Sequence, residues 1–276
     1  DRIVSGMLER GYEREFAESI FRQIQGFGEY GFPESHSASF ALLVYASAWL
    51  KRHEPAAFLC AMLNSQPMGF YSPSQLVQDA KRHGVEVLPA DITVSCWDST
   101  LETREGTPPA VRLGLSLLRG MRQEAALRIE DARSVRAFTS ATDLARRASL
   151  DRHDIQVLAA GNALRVLTGD RRQALWQASV AVPDKDLLRP ADLMEELPTL
   201  APPSEGEEIV GDYRSMGLTL NRHPLALLRA QLAAHRYEPA STLFGYQNRQ
   251  LARGAGIVTV RQRPGTANGV LFMTIE

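Results

Sequence analysis

"LLRGMRQEAALRI", Leu117 to Ile129, sets an apolar-glycine-apolar turn between two apolar patterns of helical period. The wider stretch "VRLGLSLLRGMRQEAALRIEDARS" pairs those patterns around Gly120, which predicts two helices joined by a tight turn. Such a turn is the outline of a helix-hairpin-helix. Glycine there removes the Cβ that would keep backbone N–H groups away from a nucleic-acid phosphate. Arg119 and Arg122 flank Gly120, and a second hairpin follows in "SATDLARRASL" and "DRHDIQVLAAGNALRVL", with Arg152 and His153. Residues 101 to 180 hold thirteen arginines against nine acidic residues, a modest positive excess. Many helical hairpins turn on glycine, so the bland alternative is a surface helical pair with solvated arginines.

Working outward, the chain reads as mainly α. "EREFAESIFRQIQGFG" places Phe16, Ile20, Phe21 and Ile24 on one stripe, with Gly26 and Gly28 expected to stop the helix. Pro33 then precedes a long apolar run, "SFALLVYASAWLKRH", which Pro55 interrupts. "AAFLCAMLNSQ" is another short helix, and "SPSQLVQDAKRHG" a further one with Ser72 as N-cap and Gly84 past its end. "VEVLPADI" reads as a strand and its exit. Val182 to Gly211 holds five of the fifteen prolines and the acidic "PSEGEE", and reads as a linker. "YRSMGLTLNRHPLALLRAQLAAH" resumes a helical pattern. In "RGAGIVTVRQRPGTANGVLFMTIE", alternation, β-branched residues and a Pro-Gly turn predict a β-hairpin.

Composition narrows the classes. A formal net charge of -1 argues neither for nor against nucleic acid as a partner, so only local charge carries that argument. Cys60 and Cys96 are isolated, with no CxxC, which disfavours a disulfide framework or zinc site and fits a reducing, cytoplasmic setting. No run of eighteen apolar residues exists, so no membrane span is expected. The chain opens inside an amphipathic pattern and closes on an apolar strand, so it reads as a fragment of a longer protein.

"GFPESHSASF", Gly31 to Phe40, is the second candidate site. Ser35 and Ser37 are candidate N-caps of the apolar helix after Pro33, and that role alone accounts for them. Against it, His36 and Phe40 stand at i and i+4, on one face near a helix N-terminus. That end carries unpaired N–H groups and the positive end of the dipole, which favour a phosphate or a polar nucleotide edge.

The continuous stretch from "GFGEYGFPESHSASF" through "NSQPMGFYSP" and "DAKRHGVEVLPADI" closely resembles the end of the fingers domain of bacterial C-family DNA polymerases. It looks most like their error-prone branch, the damage-tolerance paralogue of the DNA polymerase III alpha subunit, and the likeness extends through the rest of the chain. The resemblance implies that residues 1–98 are the C-terminal part of the fingers and 99–181 a tandem helix-hairpin-helix domain. Residues 182–211 become an acidic, Pro-rich linker, 212–250 a helical lead-in, and 251–276 the first strands of a truncated OB-fold barrel. It further implies that Ser35, His36 and Phe40 lie against the nascent base pair and the incoming nucleotide. Arg119, Gly120, Arg122, Arg152 and His153 would meet DNA backbone, and Arg261 and Arg263 the single-stranded template.

The same resemblance implies an error-prone DNA-directed DNA polymerase for damage-induced mutagenesis and translesion synthesis, acting on primer-template DNA and deoxynucleoside triphosphates. Its Mg2+ would be held by palm carboxylates upstream of residue 1, so this portion would carry no catalytic or metal-binding residue and be inactive alone. Two departures from the replicative branch stand out, Glu34 for its Lys and Phe40 for its Tyr. "RPADLM", Arg189 to Met194, has Pro190 in place of the Gln of a sliding-clamp motif and Met194 in place of its Phe. Attachment to the clamp is therefore expected through an accessory mutagenesis protein. The replicative alpha subunit and a non-catalytic DNA-binding or scaffold module are the rival readings. Asp184 and Asp186 form a DxD, the pairing used by two-metal sites, but they lie in the Pro-rich stretch and are set aside.

Overall fold

A computed structural model describes residues 2–30, 34–69, 71–180, 198, 200–265 and 269–276. The chain divides into two compact units, Asp1–Phe58 and Leu59–Glu276. The structural division therefore falls forty residues before the break in sequence character near Asp98.

The first unit contains α1 (Arg2–Glu9), α2 (Arg14–Tyr30), α3 (Glu34–His53) and the start of α4 (Pro55–Asn64). Helices α1 and α2 pack together, with Ala17 fully buried and Tyr12 stacked on Phe16 at 5.9 Å between ring centroids. Helix α2 runs through Gly26 and Gly28 to Tyr30, so neither glycine stops it. Two interior glycines cost a helix about 1 kcal/mol each, which seventeen residues can absorb. Helix α3 begins at Glu34, which puts Ser35 and Ser37 inside its first turns and not at the cap. Its apolar length reads as a buried scaffold, yet Leu42, Val44, Tyr45 and Trp49 are all exposed among the described residues.

In the second unit, α5 (Pro73–Arg82) opens as its sequence predicts. Ser72 caps the Gln75 N–H, the Gln75 side chain returns to the Ser72 N–H, and Gly84 follows at φ +82°. Next come β1 (Val87–Leu88), β2 (Thr100–Arg104) and β3 (Thr107–Arg112), a sheet of order β1-β3-β2. Strands β1 and β3 are parallel, with Val87 opposite Val111, while β2 and β3 form an antiparallel hairpin with Leu101 opposite Val111. The expected helix before Gly120 is thus a strand followed by a single 3-10 turn, Leu115–Leu117. Pro108 and Pro109 hide that strand in the sequence. They sit beside the register shift between Glu102 and Arg104, before β1 pairs with β3 at Val111, so their missing N–H groups cost little.

The helices α6 (Gln123–Val135), α7 (Ala141–Arg147), α8 (Arg152–Ala160), α9 (Arg165–Thr168), α10 (Arg171–Val180) and α11 (Glu205–Ser215) follow. Helix α8 packs on α10 and α11, and α6 on α7. Their core is Leu118, Ile129, Leu144, Ile155, Leu158 and Leu164, each 2% exposed or less. The acidic "PSEGEE", read as linker, is the cap and first turns of α11. Ser204 and Glu207 form a capping box, and three glutamates suit the positive end of the helix dipole. Pro190, Met194, Asp184 and Asp186 lie outside the described residues. Helices α12 (Pro224–Ala234) and α13 (Ala240–Leu243) lead to an antiparallel pair, β4 (Val258–Gln262) and β5 (Phe272–Ile275), as the alternation predicts.

Candidate nucleic-acid interface

The first turn, Leu118 to Met121, is a left-handed kink at Gly120, φ +87°. Met121 N–H closes it on Leu118 O at 3.0 Å. Helix α6 then starts from Arg122, whose side chain caps nothing. The N–H groups of Arg122, Gln123, Glu124 and Ala125 have no acceptor among the described residues, the first helical bond being Ala126 N–H to Arg122 O at 3.1 Å. These are open donors at the positive end of a thirteen-residue helix.

The second turn, between α7 and α8, has Ser149 at φ +50° where the first has glycine. It differs in charge. Asp151 and Asp154 form a capping box over the start of α8, with Asp154 N–H on Asp151 Oδ1 at 2.9 Å. Those donors are already satisfied by the protein's own carboxylates.

The two turns touch. Leu118 fills the space where a Cβ on Gly161 would stand, which makes the glycine after α8 a packing requirement. His153 Nε2 lies 3.0 Å from Gly120 O, and because a carbonyl only accepts, Nε2 carries the proton. Arg122 grips α8 with Nε on Asp154 Oδ1 at 2.9 Å, and with Nη2 on Asp154 Oδ2 at 2.6 Å and Asp151 Oδ2 at 2.5 Å. Asp154 is completely buried, whereas Arg122 is half exposed. Hydrogen bonds donated to Asp154 and then to Asp151 push the Arg122 guanidinium further above its usual range. The backbone N–H of Asp154, then Arg122, holds the Asp151 carboxyl below the ordinary carboxylate range.

The arginine excess that suggested phosphate binding is largely consumed inside the protein. Arg112 forms a two-pronged pair with Glu102, at 2.6 and 3.2 Å, and Arg133 reaches the carbonyls of Ile92 and Ser95, both at 2.8 Å. Arg147 crosses the end of α6 to the carbonyls of Ala132 and Arg136 and lies 4.8 Å over the Phe138 ring. Arg171 is buried against Asp212. Arg119, at the turn itself, is exposed. Its N–H bonds Ser215 O at 2.8 Å and its Nη1 reaches Arg214 O at 3.3 Å, tying the first turn to the end of α11. Arg152 is exposed at the first position of α8 and makes no hydrogen bond or ion pair among the described residues. Forked arginine geometry serves a carbonyl or a carboxylate as well as a phosphate, so composition could not separate the two uses.

The remaining candidates stand on other elements. Ser35 and His36 lie on α3, but their side chains are outside the described residues; Phe40, one turn on, is 51% exposed. Arg261 sits in β4 opposite Met273 of β5, and Arg263 follows the strand; both are exposed. Among the described residues no group of three or more His, Cys, Asp or Glu can hold a metal, so no donor set for Mg2+ is present there. No described helix is long and apolar enough to cross a membrane.

Sequence reasoning missed several positioning residues. Gly114 approaches another backbone so closely that a Cβ would stand 2.6 Å from Ser99 N. Asn64 accepts from Ser99 N–H at 2.8 Å and donates to Ser99 O at 2.9 Å, which anchors α4 beside β2. The Asp151-Asp154 box, by contrast, has a readable signal in the "DRHD" that opens α8.

Both turns lie within residues 84–174, which the helix-hairpin-helix motif family matches. The more particular kinship comes from whole-chain comparison. The chain is 61% identical over 282 residues to the error-prone DNA polymerase of Burkholderia pseudomallei (strain K96243), and 59% identical over 277 residues to that of Bordetella parapertussis (strain 12822). The error-prone DNA polymerase of Azoarcus sp. (strain BH72) is 56% identical over 280 residues. Each match covers all of this chain and 26% of the relative. The chain is homologous over its whole length to the error-prone C-family DNA polymerases and spans about a quarter of the length of these relatives.

Proposed function

We propose that this chain is the duplex-gripping portion of an error-prone DNA-directed DNA polymerase that acts in translesion synthesis on primer-template DNA. The observation that carries the reading is the open start of α6. Its unpaired N–H groups follow a glycine at φ +87° in a body that matches the helix-hairpin-helix family. Backbone N–H groups of this kind donate to any phosphate regardless of base, so they position a duplex without reading its sequence. Arg119, at the first turn, and Arg152, at the start of α8, add exposed cationic groups. Ser35, His36 and Phe40 belong to the pocket for the nascent base pair and deoxynucleoside triphosphate, and β4-β5 with Arg261 and Arg263 to the first strands of an OB-type barrel on single-stranded template. Nucleotide transfer itself, with Mg2+ on palm carboxylates, belongs to the longer parent enzyme, and clamp attachment to an accessory partner.

Fluorescence anisotropy with a labelled duplex across a salt series tests this reading. The logarithm of the association constant should fall linearly with that of the salt concentration. Arg119→Ala with Arg152→Ala should make the slope shallower by about one unit for each phosphate left without its cation. Salt-independent binding, or no duplex binding by the intact chain, refutes it.

A further inference from the structure

We infer that the two hairpins are not equivalent: the first takes the phosphate and the second braces it, with His153 as the positioning residue of the first turn. This rests on the duplex-gripping reading and assigns roles within it. The N–H groups at the start of α8 are already satisfied by Asp151 and Asp154, which are themselves paired to Arg122, while the start of α6 has no side-chain cap. The peptide between Gly120 and Met121 is held at both ends, its carbonyl by His153 Nε2 at 3.0 Å and its N–H by Leu118 O at 3.0 Å. A peptide plane fixed on both sides cannot rotate. The kink at Gly120 and the direction of the following N–H groups are therefore set before DNA arrives. Arg122 adds the second brace, as three hydrogen bonds carry the first residue of the turn's exit onto α8. His153 spends its Nε2 proton on Gly120 and so acts through the turn, not by touching DNA with that atom.

The test compares the intact wild-type chain with His153→Leu, which removes the donor, and His153→Gln, whose amide N–H reaches about as far as Nε2. Without DNA, hydrogen exchange at the Met121 amide should quicken in His153→Leu and return toward wild type in His153→Gln. With duplex, His153→Leu should bind about tenfold more weakly, a loss within the range for one hydrogen bond, at an unchanged salt slope. His153→Gln should recover most of that affinity. Unchanged Met121 exchange in His153→Leu, or loss of affinity in His153→Gln equal to that in His153→Leu, overturns the positioning role while leaving duplex binding standing. Failure of the wild type itself to bind duplex removes the reading on which the inference rests.

Discussion

Replacing Asp212 by Asn should destabilise the second unit by about 3 kcal/mol, the low end of the cost of breaking one partner of a buried ion pair. Asp212 and Arg171 join α11 to α10, and their side chains are only 9% and 7% exposed. Arg171 occupies the space where a Cβ on Gly211 would stand, and its Nη1 reaches Glu208 O at 2.7 Å. The second carboxylate oxygen of Asp212 accepts from Thr219 Oγ1 at 2.6 Å and from Asn221 Nδ2 at 3.1 Å. An amide in that place keeps one acceptor for Arg171 but turns a second acceptor into a donor facing the Asn221 amide. Among the described residues, the guanidinium then keeps Glu208, at 3.4 Å, as its ion-pair partner. For a unit of this size about 3 kcal/mol lowers the melting temperature by roughly 6–12 °C. Far-ultraviolet circular dichroism through thermal unfolding reads that shift. A cycle with Arg171→Met should show a coupling of about 2–3 kcal/mol, because the singles leave unpaired charges that the double mutant does not. The loss should reach function too, since Ser215 O at the end of α11 holds Arg119 N–H. Additive single effects, or a melting shift under about 2 °C, would refute the clasp.

Gly114→Ala should lower stability by about 1–3 kcal/mol or more, because its Cβ meets only backbone, none of which can swing away; denaturant unfolding with an unchanged slope checks it. Asp143 is buried, which by itself raises its pKa, but the Thr139 N–H with Arg147 and Arg136 outweighs burial and holds it below the carboxylate range. Its contribution is therefore fully present above the unfolded value near pH 4 and is lost as the pH falls through the lower folded pKa. Melting temperatures from pH 7 to pH 2 should show Asp143→Asn less stable than wild type at neutral pH and less acid-sensitive below about pH 4. In the longer enzyme, Phe40→Tyr adds one hydroxyl hydrogen-bond partner, about 0.5–1.5 kcal/mol, and should lower misinsertion by roughly twofold to tenfold. Single-nucleotide incorporation kinetics measure it, and equal misinsertion removes Phe40 from the pocket.

Much of the architecture was legible because its signals are local. Ser72 with Gln75, Pro55 between two apolar runs, Gly84 past α5 and the alternation around Val258 and Val260 each act within a turn or a strand pair, and each element forms where its signal stands. What misled was equally local in appearance. "VRLGLSLL" has a helical period, yet β1 and β2 capture its first residues by hydrogen bonding, and pairing of that kind depends on Leu88 and Thr100, far along the chain. "PSEGEE" has a linker's composition, but an N-terminal helical turn favours the same acidic residues. The arginines carry the same ambiguity into the site. A guanidinium seeks any planar acceptor, and only proximity in space shows that Arg122 meets Asp151 and Asp154, Arg171 meets Asp212, and Arg152 meets no partner among the described residues. Residue types and caps thus announced a pair of hairpins. Arg122 with Asp154 and His153 with Gly120, each pair some thirty residues apart in the sequence, join the two turns only once folding closes that distance.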